Sequence, residues 1–200
     1  IEEALRQNGW VLTHIFNTHH HYDHTGANLE LKKRWKCKII GSEKDSDRIP
    51  GLDEGVNDQE IFSFGNNEVK VFDVSGHTIG HISFYFPGEE KLFCGDALFA
   101  LGCGRIFEGT PAQMWESLQK LERLPEDTKV YCAHEYTLAN ANFAVTVEPQ
   151  NKVLLNRVQE IKNLRNEGKP TIPSTIGLEK STNPFLRPMS KDIQANLDML

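Results

Sequence analysis

Short apolar segments recur along the chain and are separated by turn-forming residues, which is the pattern of a protein rich in β-strands. VLTHIFNTH, CKIIGS and KVYCAHEY are such segments, with the β-branched and aromatic residues that strands favour. EVKVFDVSGH alternates apolar and polar positions, and HISFYFPG followed by KLFCGD predicts a hairpin that turns at residues 87–90. We therefore expect several strands, each leading into a short loop.

The segment GTPAQMWESLQKLERLP carries the clearest helix signals in the sequence. Thr110 is the predicted N-cap, Pro111 fits the first helical turn, and Gln113 completes a capping box. The apolar positions that follow recur at helical spacing and predict a buried stripe of Met114, Leu118 and Leu121. Shorter helices are predicted for IEEALRQNG, which stops at Gly9, and for GANLELKKRW.

The pattern changes near residue 145, where strand-like segments give way to helical ones. NKVLLNRVQEIKNLRNEG is amphipathic and stops at Gly168, and a connection rich in Pro and Thr follows it. We predict an α/β domain over residues 1–145 and a mostly helical domain over residues 146–200. The sequence opens directly in a helix and ends in DIQANLDML, which predicts an unfinished helix, so we expect a piece of a longer protein.

Composition and charge narrow the possible partners. The chain is 25% charged with a net charge of −6, which argues against a nucleic-acid partner because phosphate contacts need a basic surface. Since no apolar stretch approaches the roughly 20 residues of a membrane span, we expect no membrane partner. The cysteines, Cys37, Cys94, Cys103 and Cys132, form no CxxC pair, which predicts free thiols in a reducing compartment. We also expect a monomer.

The segment NTHHHYDHTG concentrates histidines and an aspartate directly after a predicted strand. In an extended segment residues two apart point the same way, so His19 and His21 can bind one metal ion together while His20 faces elsewhere. The chain then turns, and Asp23 and His24 can reach a second ion. A solvated loop has no need of this composition, and the cluster therefore predicts metal ligands.

Three further strands each end in a lone residue that can bind a metal, namely His77, Asp96 and His134. Groups at the ends of neighbouring strands can converge on one crevice. Seven nitrogen and oxygen donors exceed the four ligands of one tetrahedral zinc but suit two ions, with a carboxylate bridging them. Imidazole and carboxylate donors fit zinc, iron or manganese.

Simpler interpretations exist for the individual histidines. Any one of them can be a surface or core residue, and only the coincidence of the cluster with three strand ends argues against this for the set. A structural zinc site is disfavoured because such sites usually include cysteine. His14 is predicted to lie within its strand, and His81 either hydrogen-bonds a ligand or begins the next strand.

The motif THxHxDH, followed by a lone His, a lone Asp and a final His, resembles the metallo-β-lactamase superfamily. That resemblance implies an α+β fold, the αββα sandwich of two packed mixed sheets with helices outside, here with a C-terminal helical appendage. THHHYDHTGAN, GHTIGHISFY, FCGDALFALGCGR, FEGTPAQM, CAHEYT and NPFLR resemble one branch, the hydroxyacylglutathione hydrolases or glyoxalase II enzymes. These segments span residues 17–187.

Carried over by position, the resemblance implies two metal ions with a specific set of ligands. The first ion is held by His19, His21 and His77, the second by Asp23, His24 and His134, and Asp96 bridges them. Zinc is the expected metal, with iron or manganese as alternatives. The resemblance also implies that Arg105, Phe107 and Tyr136 contact the substrate. Residues 1–145 would then be the catalytic domain and residues 146–200 the substrate-binding domain.

The implied reaction is the hydrolysis of S-(2-hydroxyacyl)glutathione, typically S-D-lactoylglutathione, to glutathione and D-lactate in methylglyoxal detoxification. A hydroxide that bridges the metals would attack the thioester, while Asp96 and Asp23 position metal and water. The family also has two strands before its first helix and basic residues near its C-terminus, and this sequence shows neither. We expect a mitochondrial or cytoplasmic protein.

Two other functions are compatible with parts of this pattern. Persulfide dioxygenases of the same superfamily bind one iron and share a segment like GDAL…GCGR, although GCGRIFEG and AHEYT resemble the hydrolases more closely. A metal-binding fragment without turnover is the second alternative, because the segments described above are absent at both ends. Metal content and oxygen consumption distinguish the dioxygenase from the hydrolase.

Overall fold

A computed structural model describes residues 1–198 of the chain. Strands within these residues are β1 (His14–Phe16), β2 (Lys38–Ser42), β3 (Glu54–Val56), β4 (Ile61–Phe64), β5 (Asn67–Asp73), β6 (Ile82–Phe86), β7 (Lys91–Gly95), β8 (Leu98–Phe99), β9 (Gly102–Cys103), β10 (Lys129–Cys132) and β11 (Ser174–Thr175). The larger sheet is mixed and has the order β11-β10-β7-β6-β5-β4, whereas β1-β2-β3 form a smaller sheet of parallel pairs. The predicted hairpin is the antiparallel pair β6–β7.

Helices connect and cover these sheets. They are α1 (Glu2–Asn8), α2 (Tyr22–Thr25), α3 (Asn28–Trp35), α4 (Pro111–Glu122), α5 (Thr137–Val147), α6 (Lys152–Asn166), α7 (Ile176–Thr182) and α8 (Lys191–Asn196). The capping box predicted for α4 is confirmed, because the Thr110 side chain accepts the Gln113 amide and the Gln113 side chain accepts the Thr110 amide. No helix within residues 1–198 is long and apolar enough to cross a membrane.

Other layers pack on both faces of the larger sheet, which explains the apolar character of its central strands. Leu92 and Cys94 of β7 pack with Met114, Leu118 and Leu121 of α4 on one face. The opposite face packs against the smaller sheet through a separate cluster, which consists of Ile40, Val56, Val69, Val71, Ile82 and Phe84. With α3 in contact with β2 on the outside, these layers form the predicted αββα sandwich.

The smaller sheet covers only part of the larger one. Phe93 of β7 and Tyr131 of β10 stack with ring centroids 5.1 Å apart, and Phe93 is 40% exposed. Beside them lies a groove of about 490 Å³ whose walls include Phe16, Phe64 and Phe84. The inner face of the larger sheet is therefore closed over β4–β6 and open over β7 and β10 in the described part of the chain.

The C-terminal helices attach to the sandwich through a buried polar network centred on Glu179. Its carboxylate, which is fully buried, accepts hydrogen bonds from Arg157, Ser174 and the Leu101 amide. Asn183 donates to the carbonyl oxygens of Phe99 and Gly102, at 3.1 and 3.0 Å. This network fixes the loop that follows Asp96.

Two element boundaries differ from those predicted. The first strand covers only His14–Phe16 because its pairing with β2 begins at His14 opposite Lys38. The sequence predicts a helix that is still unfinished at the end of the chain. This prediction is wrong within the described residues, because α8 ends at Asn196. Residues 199 and 200 lie outside the described residues. The domain boundary near residue 145 falls within α5 and stays a prediction.

Replacing Glu179 with alanine is expected to destabilise the fold strongly. The substitution leaves the Arg157 guanidinium buried without its carboxylate, and removing one partner of a buried pair costs about 3–5 kcal/mol of unfolding free energy. Urea unfolding measures this change. The control is Glu126→Ala, which removes an exposed ion pair with Lys180 and should cost less than about 1 kcal/mol. Equal losses in the two variants would contradict a structural role for the network.

Candidate metal centre

The loop between β1 and α3 is shaped by buried amide side chains. The backbone N–H of Asn17 donates to the Ile40 carbonyl at 2.8 Å. The Asn17 side-chain amide donates to the His24 carbonyl at 3.1 Å. Asn28 in turn donates to the Asn17 side chain at 2.8 Å. These bonds satisfy polar groups that burial would otherwise penalise, and they hold the histidine cluster in a fixed turn.

The remaining donors come from the ends of neighbouring strands. β7 and β10 are parallel, with Cys132 opposite Gly95, so Asp96 and His134 emerge at the same edge of the sheet. Gly95 has a φ of +51° and a Cβ there would lie 2.4 Å from Thr18 Oγ1, so the turn into Asp96 requires glycine. His77 follows β5, which lies in the same sheet.

The predicted ligands come together in two groups around one carboxylate. Nitrogen atoms of His19, His21 and His77 lie within 4.8 Å of one another, and the donor atoms of Asp23, His24 and His134 form a second group of the same size. A third group, His19, His24 and Asp96, overlaps these two. Asp96 lies between the groups, with Oδ2 3.6 Å from His77 Nε2 and 3.5 Å from His134 Nε2. Its Oδ1 lies 3.2 Å from His24 Nε2.

Several of these donor atoms are buried and have no hydrogen-bond partner. His19 Nε2 is one such atom, and His24 Nε2 and Asp96 Oδ1 face each other at 3.2 Å without forming a hydrogen bond of regular geometry. Such groups are normally satisfied in a protein interior, and a cation bound between the converging lone pairs would satisfy them. The donor set consists of imidazole and carboxylate groups, so the residues fit divalent metal ions.

The outward nitrogen of the histidine rings is held by hydrogen bonds. His77 Nδ1 donates to the Arg105 carbonyl at 2.8 Å, which leaves Nε2 with its lone pair toward Asp96. His19 Nδ1 lies 3.1 Å from Thr18 Oγ1, and its Nε2 faces the centre. Contacts of this kind fix the tautomer of a metal-binding histidine.

Burial and neighbouring charges set the ionisation of the donors. Burial and the nearby His81 lower the pKa of His19, and burial and His77 lower the pKa of His21. Burial also acts to lower the pKa of His24, but Asp96 outweighs it and raises that pKa. For Asp96, burial acts to raise the pKa, and His24 reverses this and lowers it. The Asp96 carboxylate is therefore ionised, as metal binding requires.

His81 is placed to orient Asp96. Its Nε2 accepts the Asp96 amide N–H at 3.1 Å, and its ring stacks on His19 with centroids 4.6 Å apart. Burial lowers the pKa of His81 to about 3, so the ring is neutral and can accept this bond. Two roles were predicted for His81, a hydrogen bond to a ligand residue or the start of the next strand. The first role fits the structure, but the bond is to the backbone N–H of Asp96 and not to its side chain. His14 lies in β1, as predicted.

A cleft of about 610 Å³ opens onto the two donor groups. Arg105, Phe107 and Tyr136, the predicted substrate contacts, all line it, and Tyr136 stacks on His134 with centroids 5.1 Å apart. The sequence interpretation missed other lining residues, which are Phe99, Cys103, Ala139 and Asn140. Burial raises the pKa of Cys103 to about 12, so this thiol is not a nucleophile.

Two known protein families match adjacent parts of this chain. The profile of the metallo-β-lactamase superfamily matches residues 1–134, and the profile described as the hydroxyacylglutathione hydrolase C-terminus matches residues 135–199. A hydroxyacylglutathione hydrolase from Methylococcus capsulatus is 54% identical over 197 residues, which cover 98% of this chain and 77% of the relative. This chain belongs to the hydroxyacylglutathione hydrolase family.

Further similarities agree with this membership. The hydroxyacylglutathione hydrolase of Rhizobium etli is 54% identical over 199 residues, which cover all of this chain and 78% of that enzyme. Among solved structures, ETHE1 from Myxococcus xanthus has a TM-score of 0.70 and 25% identity over 98% of this chain and 73% of its own. The BLEG-1 B3 metallo-β-lactamase, at 23% identity and a TM-score of 0.68 over 93% of this chain and 82% of its own, shares the fold.

Within this family member, replacing His81 with leucine is expected to weaken metal binding by about 10- to 100-fold. Leucine cannot accept the Asp96 amide, so the carboxylate loses its orientation. His81→Gln is the matched control because glutamine places an acceptor near the position of Nε2. Zinc affinity, measured by competition with a chromogenic chelator, should fall far less in that variant. Equal losses in both variants would show that the hydrogen bond is not responsible.

Proposed function

We propose that this chain hydrolyses S-(2-hydroxyacyl)glutathione, with S-D-lactoylglutathione as the typical substrate, to glutathione and the free 2-hydroxy acid. The observation that carries the proposal is the Asp96 carboxylate, which lies between two groups of nitrogen and oxygen donors at the base of an open cleft. The relatives at 54% identity are named hydroxyacylglutathione hydrolases. Products of this kind belong to methylglyoxal detoxification.

Two divalent ions would be held by the donors described above. His19, His21 and His77 would bind the first ion, and Asp23, His24 and His134 the second. Asp96 would bridge them, because its carboxylate lies close to both groups, with Oδ2 3.6 Å from His77 Nε2 and Oδ1 3.2 Å from His24 Nε2. Zinc is our preferred metal, and iron and manganese are compatible with the same ligands.

When bound, such ions would supply a water molecule whose pKa is lowered to about 7 and a Lewis acid for a carbonyl oxygen. The protein residues supply position: Asp96 and Asp23 both lie beside His24 and His134 and would orient metal and water, and neither needs to transfer a proton. The leaving glutathione thiol has a free pKa of about 8.5, so its thiolate departs without an acid. This agrees with a cleft in which Cys103 is protonated and the histidines serve as ligands.

The walls of the cleft suit a glutathione thioester. Arg105 is exposed at the cleft and offers a cation to a glutathione carboxylate in a chain that is otherwise acidic. Phe107 is 63% exposed and Tyr136 is 51% exposed, so both rings can contact a substrate. We infer that these three residues bind the glutathione moiety. Phe107 contributes apolar contact only, since it has no hydroxyl group.

The remaining assignments extend this proposal to the whole chain. We infer that residues 1–145 form the catalytic domain and that residues 146–200 support substrate binding, because Glu179 and Asn183 hold the loop between Asp96 and Arg105. The relatives named above are bacterial, which favours the cytoplasm over a mitochondrion. A monomeric state stays a prediction. The second donor group favours the two-metal hydrolase over a dioxygenase with one iron.

Steady-state hydrolysis of S-D-lactoylglutathione by the metal-loaded chain tests this function. Asp96→Ala removes the group between the two sets of donors, and kcat should fall by at least about 100-fold. Chelation of the metal should abolish turnover in the unmodified chain, and added zinc should restore it. The control is Asp127→Ala, which removes an exposed carboxylate outside the cleft and should leave kcat unchanged. A folded, metal-loaded chain without turnover would contradict the proposed function.

A further inference from the structure

A second cluster of charged side chains lies beside the metal centre and has no role in the reaction described above. It is built around Asp45, at the end of the turn that follows β2, whose side chain is fully buried. Asp45 accepts hydrogen bonds from Arg48 and lies 3.1 Å from His20 Nδ1. His20 is the histidine that turns away from the metal ligands on either side of it.

The Asp45 carboxylate also fills a space that only glycine leaves open. A Cβ on Gly80 would lie 2.0 Å from Asp45 Oδ1, so the loop that carries His77 packs directly on this carboxylate. One buried group therefore contacts both loops that supply ligands to the first donor group. The contact is made by side chains that are not ligands themselves.

Arg48 extends the cluster to the third loop, the one that carries Arg105 and Phe107. Its guanidinium forms a two-pronged pair with Glu108, at 2.6 and 3.2 Å. Glu108 Oε2 also accepts the Ile79 amide N–H at 2.8 Å. The path from His20 through Asp45 and Arg48 to Glu108 thus joins the two ligand loops to the proposed substrate loop.

We propose that Asp45, Arg48 and Glu108 form a clamp that positions the substrate loop, residues 105–109, over the metal centre. The clamp makes Arg48 and Glu108 positioning residues for glutathione binding, and this part of the inference rests on the proposed function. Phe107 is the contact that the clamp controls most directly, because it precedes Glu108. The centroid of its ring lies 5.1 Å from that of His77 and 5.7 Å from that of His21.

The pair between Arg48 and Glu108 is better suited to orienting the loop than to stabilising the whole fold. The Arg48 and Glu108 side chains are 39% and 28% exposed, and exposed ion pairs contribute little to the free energy of folding. A two-pronged Arg–carboxylate pair does fix geometry. The substrate loop is also held by the bonds to Arg105 and Glu108 described above and by backbone bonds from Phe107 to His77 and from Gly109 to Gly76, at 3.2 and 3.1 Å.

Orientation of this loop should affect substrate binding rather than the chemical step. None of the clamp residues belongs to the two groups of metal donors, so their loss leaves the ligand set intact. A mutation that raises KM while kcat is unchanged has removed binding that is equal in the ground and transition states. That separation distinguishes a positioning role from a general loss of structure.

The test compares Glu108→Gln and Arg48→Gln with a matched control in the metal-loaded chain. The control is Lys44→Gln. Lys44 lies in the same turn as Asp45 and forms an ion pair with Asp73, but this pair does not involve the substrate loop. Two measurements are made, amide hydrogen exchange at Phe107 and Gly109, and the hydrolysis kinetics of S-D-lactoylglutathione and of a lactoyl thioester of 2-mercaptoethanol. The second substrate lacks the peptide that the loop would contact.

Both clamp variants should exchange these two amides at least about tenfold faster and should raise KM for the glutathione thioester about 5- to 20-fold with kcat within about twofold. Kinetics with the short thioester, and metal content, should match the control. The double variant should resemble either single one, because residues that act as one unit are not additive.

Two results would overturn the clamp. One is exchange equal to that of Lys44→Gln, and the other is faster exchange with KM unchanged for the glutathione thioester. If the unmodified chain hydrolyses neither thioester, the proposed function fails, and hydrogen exchange alone then decides whether the clamp holds the loop. The two failures are therefore distinguishable.

Discussion

Seven side chains with nitrogen and oxygen donor atoms converge at the ends of the sandwich strands, and this concentration of lone pairs constrains the loops around it. Asp96 and His19 are buried, and atoms on both lack hydrogen-bond partners. Leaving such groups unsatisfied costs free energy of folding. A site of this kind persists only where other contacts over-determine it, so the surrounding loops are held by bonds of their own.

Each loop around the centre is anchored by a different device. Buried amides of Asn17 and Asn28 hold the first loop, and Gly95 turns the chain into Asp96 at a φ of +51°. The C-terminal helices reach the same region through Glu179, which accepts the Leu101 amide at 2.8 Å. Polar networks that are fully satisfied specify one arrangement, and here they fix the backbone from which the ligands project.

The elements could be predicted from the sequence because they depend on local rules, and the capping box at Thr110 and the hairpin before Lys91 involve neighbouring residues. The grouping of His77, Asp96 and His134 with the histidine cluster rested instead on strand ends and on the family resemblance, and His20 lies apart from His19 and His21 although these residues follow β1 rather than belong to it. Asp45, Arg48 and Glu108 could not be grouped in this way, since Arg48 and Glu108 are 60 positions apart. Only the tertiary packing brings such pairs together.

The family resemblance and the geometry of the site provide different information about the metal centre. The resemblance implied which residues bind metal, whereas the positions of Asp96 between two donor groups and of His81 behind it are structural observations. The substrate loop is tied to the loop that carries His77 by several bonds, which include the donation from His77 Nδ1 to the Arg105 carbonyl and the Phe107 and Gly109 amides that donate to His77 and Gly76. These bonds couple the two functions: any motion of Arg105 toward a substrate also bears on the orientation of His77, so the loop that contacts substrate has to be restrained from more than one side.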